Sequence, residues 1–213
     1  IRKLNQVAKM LLSIGQWSAP SVVGLCEVEN RYVLNKLIHE TPLKSFKYRF
    51  IHHESPDLRG VDVALLYRSD HFKVLSNRCI SIRFPFDTLS QTREILLVKG
   101  LVRNRDTLIL IVNHWPSRRG GYLSSQPRRI HVAHVLRNLI DSIQHITAEP
   151  GYYHTGSPGE PTKRTGRNPA NDHGMNPGSQ DTPVISYRRS ANIVIMGDFN
   201  DEPANKSISE VLK

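Results

Sequence analysis

The stretch N-I-V-I-M-G-D-F-N-D-E-P at residues 192–203 is an apolar run that ends in a glycine and a cluster of acidic and amide side chains. Its mainly β-branched core, residues 193–196, predicts a strand that is buried on both faces and that ends at Gly197. The polar side chains of residues 198–202 then lie at the carboxyl end of the strand, which is the edge where open α/β sheets bind their ligands. The same residues also suit the start of a capped helix, because Asp and Asn are good N-caps and Pro203 fits a first turn. The local pattern leaves both interpretations open.

Two other apolar runs also deliver polar side chains. The run at residues 22–28 is interrupted by Glu27, which is either a strand-end carboxylate facing water or a metal ligand at the mouth of the sheet. The run at 108–112 is followed by N-H-W-P-S-R-R-G-G, residues 113–121. A lone histidine such as His114 is commonly structural, but arginines and glycines beside it are typical of a phosphate site. Three strands that end in this way favour a shared functional site.

Helical and strand periodicities alternate along the chain and predict the fold class. Apolar residues recur at helical spacing over residues 4–14 and 33–38, on either side of the run at 22–28. A series of strands follows, at residues 48–52, 61–67, 72–82, 95–102 and 108–112. Consecutive strands between helix-bearing halves favour an α/β (α+β) domain of two packed sheets with outer helices over one doubly wound parallel sheet. A chain of 213 residues is expected to form one domain.

Positive charge is concentrated near the third strand end. The chain has a net charge of +10, which favours polyanionic partners such as nucleic acids. Residues 115–140 contain five arginines and no acidic residue. A helix is expected to open at Ser124 or Ser125 with Pro127, so that two of these arginines, at 128 and 129, fall in its first turn. Cations there indicate either a nearby anion or a solvated surface.

Other features of the chain exclude several classes of protein. No apolar run approaches the ~20 residues of a membrane-spanning helix. Cys26 and Cys79 both lie in apolar, strand-like stretches, so they indicate neither a disulfide framework nor a cysteine-type zinc site. Residues 148–191 hold twelve of the twenty-six Gly and Pro residues and few aliphatic side chains. We expect this segment to be a flexible insertion before the last strand.

Taken together, five motifs resemble those of the endonuclease/exonuclease/phosphatase superfamily, to which pancreatic DNase belongs. They are G-L-C-E-V-E-N at 24–30, G-V-D-V-A-L-L-Y-R at 60–68, Q-T-R at 91–93, V-N-H-W-P-S-R-R-G-G at 112–121 and M-G-D-F-N-D-E-P at 196–203. The fourth motif is most similar to the form found in bacterial members. The resemblance implies a DNase I-like, four-layered α/β sandwich of two mainly antiparallel sheets, and divalent-metal-dependent hydrolysis of phosphate esters.

The resemblance also implies roles for individual residues. Glu27 matches the family's metal-binding glutamate, with Mg²⁺ expected and Mn²⁺ or Ca²⁺ as alternatives. Asp198 matches the residue that orients or deprotonates the attacking water, Asn200 matches its amide partner, and His114 matches the histidine that contacts the phosphate. Three arginines are expected as phosphate clamps: Arg93, Arg118 and Arg129.

The motifs indicate the type of reaction but do not identify the substrate. The arginines favour an endonuclease or exonuclease that cleaves nucleic-acid phosphodiesters. A phosphatase or phosphodiesterase acting on small-molecule or lipid phosphates is the first alternative, and a non-catalytic module that binds phosphate or nucleic acid is the second.

Two strands of the family pattern have no counterpart in residues 1–213. One is the first strand, with an Asn and often a second acidic ligand, and the other is the closing strand, with a Ser-Asp-His motif. We therefore expect a domain that is incomplete at both ends and poorly active as this chain alone. The oligomeric state is not defined by the sequence, and a monomer is favoured.

Overall fold

A computed structural model of the chain describes residues 2–15, 18–102, 106–148 and 191–212. The helices are α1 Arg2–Ile14, α2 Arg31–His39 and α3 Tyr122–Ala148, with a 3-10 helix at Pro42–Ser45 and a π-helical turn at Ser207–Val211. The strands are β1 Val22–Val28, β2 Tyr48–His52, β3 Asp62–Arg68, β4 Phe72–Ile80, β5 Ile95–Val102, β6 Thr107–His114 and β7 Asn192–Asp198. Apart from its two end residues, the expected insertion at 148–191 lies outside the described residues.

The strands form two sheets. One has the order β1-β3-β2 and is antiparallel throughout. The other has the order β4-β5-β6-β7, with antiparallel pairs except for the parallel pair β6 and β7. A parallel pair requires a crossover, and α3 lies between these two strands in the chain. The carboxyl ends of β6 and β7 therefore lie side by side.

The two sheets pack face to face between outer helices. Residues of both sheets form the central apolar cluster, including Leu65 of β3, Leu96 of β5 and Leu110 of β6. A second cluster joins α1 and α2 to the outer face of the three-stranded sheet, and a third joins α3 to the outer face of the four-stranded sheet. The fold is thus a four-layered α/β sandwich of two mainly antiparallel sheets, which confirms the expected class.

The strand β7 differs from its prediction in two ways. It is not buried on both faces, since Val194 is 42% exposed while Ile193 and Ile195 pack toward α3. The reason is that β7 is the edge strand of its sheet among the described residues, and Val194 is not part of the central apolar cluster, whereas Met196 packs against it. Gly197 also does not end the strand, because the parallel pairing with β6 continues through Gly197 to Asp198.

The helix α3 begins earlier than predicted. It starts at Tyr122, with Pro127 inside it, so Arg128 and Arg129 lie in the second turn. Gly120 and Gly121 explain the early start, since both have a positive φ that lets the chain reverse directly before the helix. None of the helices in the described part of the chain is long and apolar enough to cross a membrane.

Candidate active site

The late residues of β1, β6 and β7 meet where the two sheets face each other. Asp198 of β7 lies beside His114 of β6 in the parallel register. The three-stranded sheet approaches closely here, because a Cβ on Gly24 of β1 would lie 2.7 Å from the Met196 sulfur. The thiol of Cys26 donates a hydrogen bond to the Asn113 carbonyl at 3.3 Å. These contacts connect the end of β1 to the ends of β6 and β7.

A β-bulge presents Glu27 to solvent. The pairing of β1 with β3 shifts between Leu25 and Val28, where three steps along β1 face two steps along β3. Glu27 has a φ of 58°, a left-handed conformation that is uncommon for a residue other than glycine. Val28 is buried while Glu27 is exposed. The bulge therefore places a carboxylate at the rim of the sandwich, at a backbone position of the kind found in functional sites.

The loop after β7 holds Asp198 and Asn200 in a defined geometry. Gly197 has a φ of 131°, and a Cβ at this position would lie 1.9 Å from the Asn113 carbonyl oxygen, so only glycine fits. The Asn200 backbone N–H donates to Asp198 Oδ1 at 2.8 Å. Its side-chain amide donates to the Trp115 carbonyl at 3.0 Å, and the Trp115 N–H donates to the Asp198 carbonyl at 2.8 Å. The loop is thus fastened to the residue that follows His114.

The surroundings of His114 favour its neutral form. Only 5% of the residue is exposed, and its Nδ1 is buried without a hydrogen-bond partner among the described residues. Burial lowers the pKa of His114, and the nearby Arg93 guanidinium lowers it further, whereas the Asp198 and Glu27 carboxylates oppose the shift. The lowered pKa therefore favours the neutral imidazole, which carries a single N–H, over the imidazolium.

The three predicted phosphate clamps lie in different environments. Arg118 is 37% exposed at its side chain and donates to the Asn200 carbonyl at 3.0 Å, so it lies at the site. Arg93 is buried, and it donates to Asp57 at 2.9 Å and to the Trp115 carbonyl at 2.6 Å. Arg129 has no exposed surface, and its Nε lies 2.8 Å from Asp201 Oδ1.

This placement favours different functions for the three arginines. Arg118 is partly exposed at the site and contacts Asp201 and Glu202 at 3.4 Å, and Arg93 lies beside the site. Arg129 lies behind the loop that carries Asp198 and Asn200, so its position favours support of that loop over contact with a phosphate.

Two structurally important carboxylates carry no role in the sequence interpretation. Asp201 is 1% exposed at its side chain and binds Arg129, Arg118, Asn205 and Ser207. Its position directly after the G-D-F-N motif is the signal that could have indicated a role. Asp57, which binds Arg93, lies in an irregular loop without a motif, and the sequence contains no comparable signal for it.

The acidic residues at the site suit a hard cation. No three His, Cys, Asp or Glu side chains of the described ranges are grouped so that they could hold a metal ion. Zinc sites, which use three or four nitrogen or sulfur ligands, are therefore a poor match. Mg²⁺ retains several waters and is commonly held by one or two carboxylates together with substrate oxygens. The exposed carboxylate of Glu27, with Asp198 nearby, fits that second pattern.

Solved structures of similar fold come from several organisms. The chain is similar to the human Nocturnin catalytic domain with bound sulfate (13% identity, TM-score 0.58), covering 98% of this chain and 60% of that one. Mannosyl-6-phosphatase Bt3783 of Bacteroides thetaiotaomicron has 12% identity and a TM-score of 0.59, and the match covers 98% of this chain and 60% of that one. TDP2 of D. rerio, complexed with a single-strand DNA product, has 17% identity and a TM-score of 0.52, and the match covers 98% of this chain and 58% of that one.

These identities establish a shared fold, and the chain spans about three fifths of the length of each of these structures. No curated protein matches the sequence significantly. A family model described as "Endonuclease/Exonuclease/phosphatase family" matches residues 1–150, which is more than two thirds of the chain. The site at the ends of β1, β6 and β7 therefore lies in a protein that belongs to the endonuclease/exonuclease/phosphatase family.

Proposed function

We propose that the full-length protein is a divalent-metal-dependent phosphoesterase that cleaves the phosphodiester bonds of nucleic acids. One observation carries the proposal: Asp198 and His114 are neighbours in the parallel register, at the sandwich edge where the β1 bulge presents Glu27. Members of this family are hydrolases of phosphate esters, which supports the general class of reaction.

The carboxylates divide into a metal ligand and a water-activating group. Glu27 would hold the metal ion, which would neutralise charge on the phosphate oxygens when bound. Asp198 Oδ1 accepts the Asn200 N–H at 2.8 Å, and Oδ2 has no hydrogen-bond partner among the described residues. Oδ2 is therefore the oxygen that accepts a proton from the attacking water.

The remaining groups orient and stabilise the phosphate. His114 donates a neutral N–H to a phosphoryl oxygen, a contact that strengthens as charge develops on that oxygen. Asn200 fixes the Asp198 carboxylate through its backbone N–H. Arg118 is partly exposed at the site, and its Nη1 and Nη2 would exchange their long 3.4 Å contacts with Glu202 and Asp201 for hydrogen bonds to a phosphate. The reaction adds water across the P–O bond, and the leaving oxygen departs with one proton.

Nucleic acid is the substrate that the charge distribution supports best. Of the five arginines between Trp115 and Ile140, Arg118, Arg119 and Arg128 are at least partly exposed near the site, and the chain carries a net charge of +10. Such a surface attracts a polyanion through phosphate contacts and counterion release. One protein of the same fold was solved with a single-strand DNA product, and another is a mannosyl-6-phosphatase. A small phosphomonoester is therefore the second candidate.

A substrate panel with the full-length protein tests the proposal. Single-stranded DNA, duplex DNA, RNA, bis(4-nitrophenyl) phosphate and a sugar 6-phosphate are each incubated with Mg²⁺, Mn²⁺, Ca²⁺ or EDTA. Asp198→Asn is compared with Asp141→Asn, which removes the same charge from a half-exposed site on α3. We expect metal-dependent cleavage of nucleic acid that Asp198→Asn abolishes and Asp141→Asn retains.

Two other outcomes would overturn part or all of the proposal. Turnover of the sugar phosphate alone would assign a phosphatase in place of the nuclease. Salt-sensitive binding of nucleic acid without turnover of any substrate would assign a non-catalytic binding module.

A further inference from the structure

A pocket with a volume of about 260 Å³ opens next to the candidate active site. Three loops and the helix α3 form it, and its wall contains four arginines and a single carboxylate. We call it the arginine pocket; its charged residues are Asp57, Arg59, Arg93, Arg119 and Arg128. The volume lies below the range of about 300–1,000 Å³ that is typical of sites for drug-sized ligands. The pocket is therefore suited to a compact charged group.

The charges in this pocket are only partly compensated. Asp57 forms ion pairs with both Arg93, whose Nη1 lies 2.9 Å from Oδ2, and Arg59, whose Nε lies 3.4 Å from Oδ1. Arg128 is paired with Asp87. Two carboxylates thus face four guanidinium groups.

The unpaired donors belong to two of these arginines. The exposed Arg119 side chain makes no hydrogen bond or ion pair with any residue that the structure describes. Arg93 Nε is buried without a hydrogen-bond acceptor among the described residues, and only 4% of Arg93 is exposed. Buried donors are normally satisfied in proteins, so an unpaired one beside excess positive charge points to a site that binds an anion.

The arginine pocket and the candidate active site share a wall. The Trp115 carbonyl accepts one hydrogen bond from Arg93 Nη2 at 2.6 Å and another from the Asn200 side chain at 3.0 Å. Pro116 and Ser117, which follow in the chain, line the pocket. Burial has the largest effect on the pKa of His114, and the charges of Arg93 and Arg59 lower it further, so both arginines lie near this imidazole. An anion in the pocket would therefore lie next to a phosphate bound at Asn200 and His114.

We propose that the arginine pocket binds a second phosphate of the substrate, one that remains uncleaved while the first is hydrolysed at Asp198. This inference rests on the proposed function, and it narrows the substrate to molecules with two neighbouring phosphates. The second phosphate is either that of the adjacent nucleotide in a strand or that of a small bisphosphate. Both offer the oxygen pairs that guanidinium groups bind with two parallel hydrogen bonds.

Equilibrium binding without turnover tests the pocket directly. The full-length protein is titrated in EDTA with dithymidine monophosphate, and with the same dinucleotide carrying an added 5′- or 3′-phosphate. Fructose 6-phosphate and fructose 1,6-bisphosphate form a second pair of probes. The variants are Arg119→Gln and Arg59→Gln, and the control is Arg49→Gln, which removes the same charge from an exposed position on β2.

We expect the added phosphate to tighten binding at least about tenfold in one of the two pairs, since hydrogen bonds between charged groups are strong. The pair that responds identifies the source of the phosphate. Arg119→Gln should reduce that preference to under about threefold, Arg59→Gln should reduce it partly, and Arg49→Gln should leave it intact. The proposal is overturned if the wild-type protein gains nothing from a second phosphate, or if both pocket variants keep the full preference.

A substrate with a single phosphate separates the activity at Asp198 from binding in the arginine pocket. Hydrolysis of bis(4-nitrophenyl) phosphate, which has one phosphate, measures the site at Asp198 independently of the pocket. Hydrolysis without a binding preference refutes the pocket alone. A preference without hydrolysis supports the pocket and refutes the catalytic role.

Discussion

Asp201 and Arg129 form a buried ion pair beneath the loop that carries Asp198 and Asn200, and removing Asp201 should strongly destabilise the fold. The Asp201 side chain is 1% exposed and that of Arg129 is fully buried, with 2.8 Å between Oδ1 and Nε. The same carboxylate also accepts hydrogen bonds from Ser207 and from Asn205, the latter at 3.0 Å. Asp201→Ala therefore removes the anchor that joins the loop after β7 to α3.

The magnitude follows from what remains around Arg129. In Asp201→Ala the guanidinium stays buried, with only neutral acceptors in the Ser125 hydroxyl at 2.8 Å and the Tyr122 carbonyl at 3.4 Å. Breaking one side of a buried ion pair costs about 3–5 kcal/mol, because the remaining charge is uncompensated. A protein of this size is typically stable by about 5–15 kcal/mol, so this loss is a large fraction of the total.

Urea denaturation followed by circular dichroism measures this change. Asp201→Ala should lower the free energy of unfolding by about 3–5 kcal/mol, and Arg129→Met by a comparable amount. The double variant should lose less than the sum of the two, because it leaves neither charge buried alone. The control is Asp141→Ala, which breaks an exposed pair with Arg137 and should cost about 0.3–0.5 kcal/mol. A loss below about 1 kcal/mol in Asp201→Ala, or strictly additive single variants, would refute the reasoning.

Three further predictions concern other parts of the molecule. Gly197→Ala should destabilise the protein by at least about 1–3 kcal/mol in the same urea assay, because its φ of 131° and the Asn113 carbonyl exclude a Cβ; an unchanged midpoint would contradict this. Burial and the neighbouring Glu94 carboxylate raise the pKa of the Cys79 thiol to about 12. Iodoacetamide at pH 8 should therefore alkylate Cys79 about a thousandfold more slowly than a free cysteine, as followed by mass spectrometry. Alkylation at the rate of a free cysteine would refute this prediction. The pKa of His114 is lowered in the folded state, so the unfolded chain binds more protons below about pH 6.5 and stability falls as the pH drops through that value. The urea midpoint should therefore fall more between pH 7.5 and 5.5 in the wild-type protein than in His114→Gln, and equal falls would count against this assignment.

The sequence predicted those features that depend on local patterns. Alternating and continuous apolar runs located the strands, and consecutive strands between helices indicated two packed sheets. Polar residues directly after the runs indicated that Glu27, His114 and Asp198 belong to strand ends. The structure places His114 and Asp198 side by side in the register, with the end of β1 in contact with the same region.

Other features depend on contacts between distant residues, which local patterns do not encode. The burial of Arg129 follows from its ion pair with Asp201, which lies 72 positions later in the chain. The exposure of Val194 follows from the place of β7 at a sheet edge. The bulge that turns Glu27 outward follows from the pairing with β3. The predicted start of α3 was wrong because Pro127, a frequent first-turn residue, lies in its second turn.

The central claim is that Glu27 and Asp198 act together in one hydrolytic site, and a double-mutant analysis of turnover tests it most directly. The full-length protein with Mg²⁺ is assayed on bis(4-nitrophenyl) phosphate as wild type, Glu27→Gln, Asp198→Asn and the double variant. Glu29→Gln is the control, since it removes the same charge from an exposed residue two positions from Glu27. We predict that each single variant loses at least about a hundredfold in kcat, that the double variant loses little more, and that the control retains activity. Turnover that survives Asp198→Asn, or losses that multiply in the double variant as for independent residues, would show that the two carboxylates do not act together in one site.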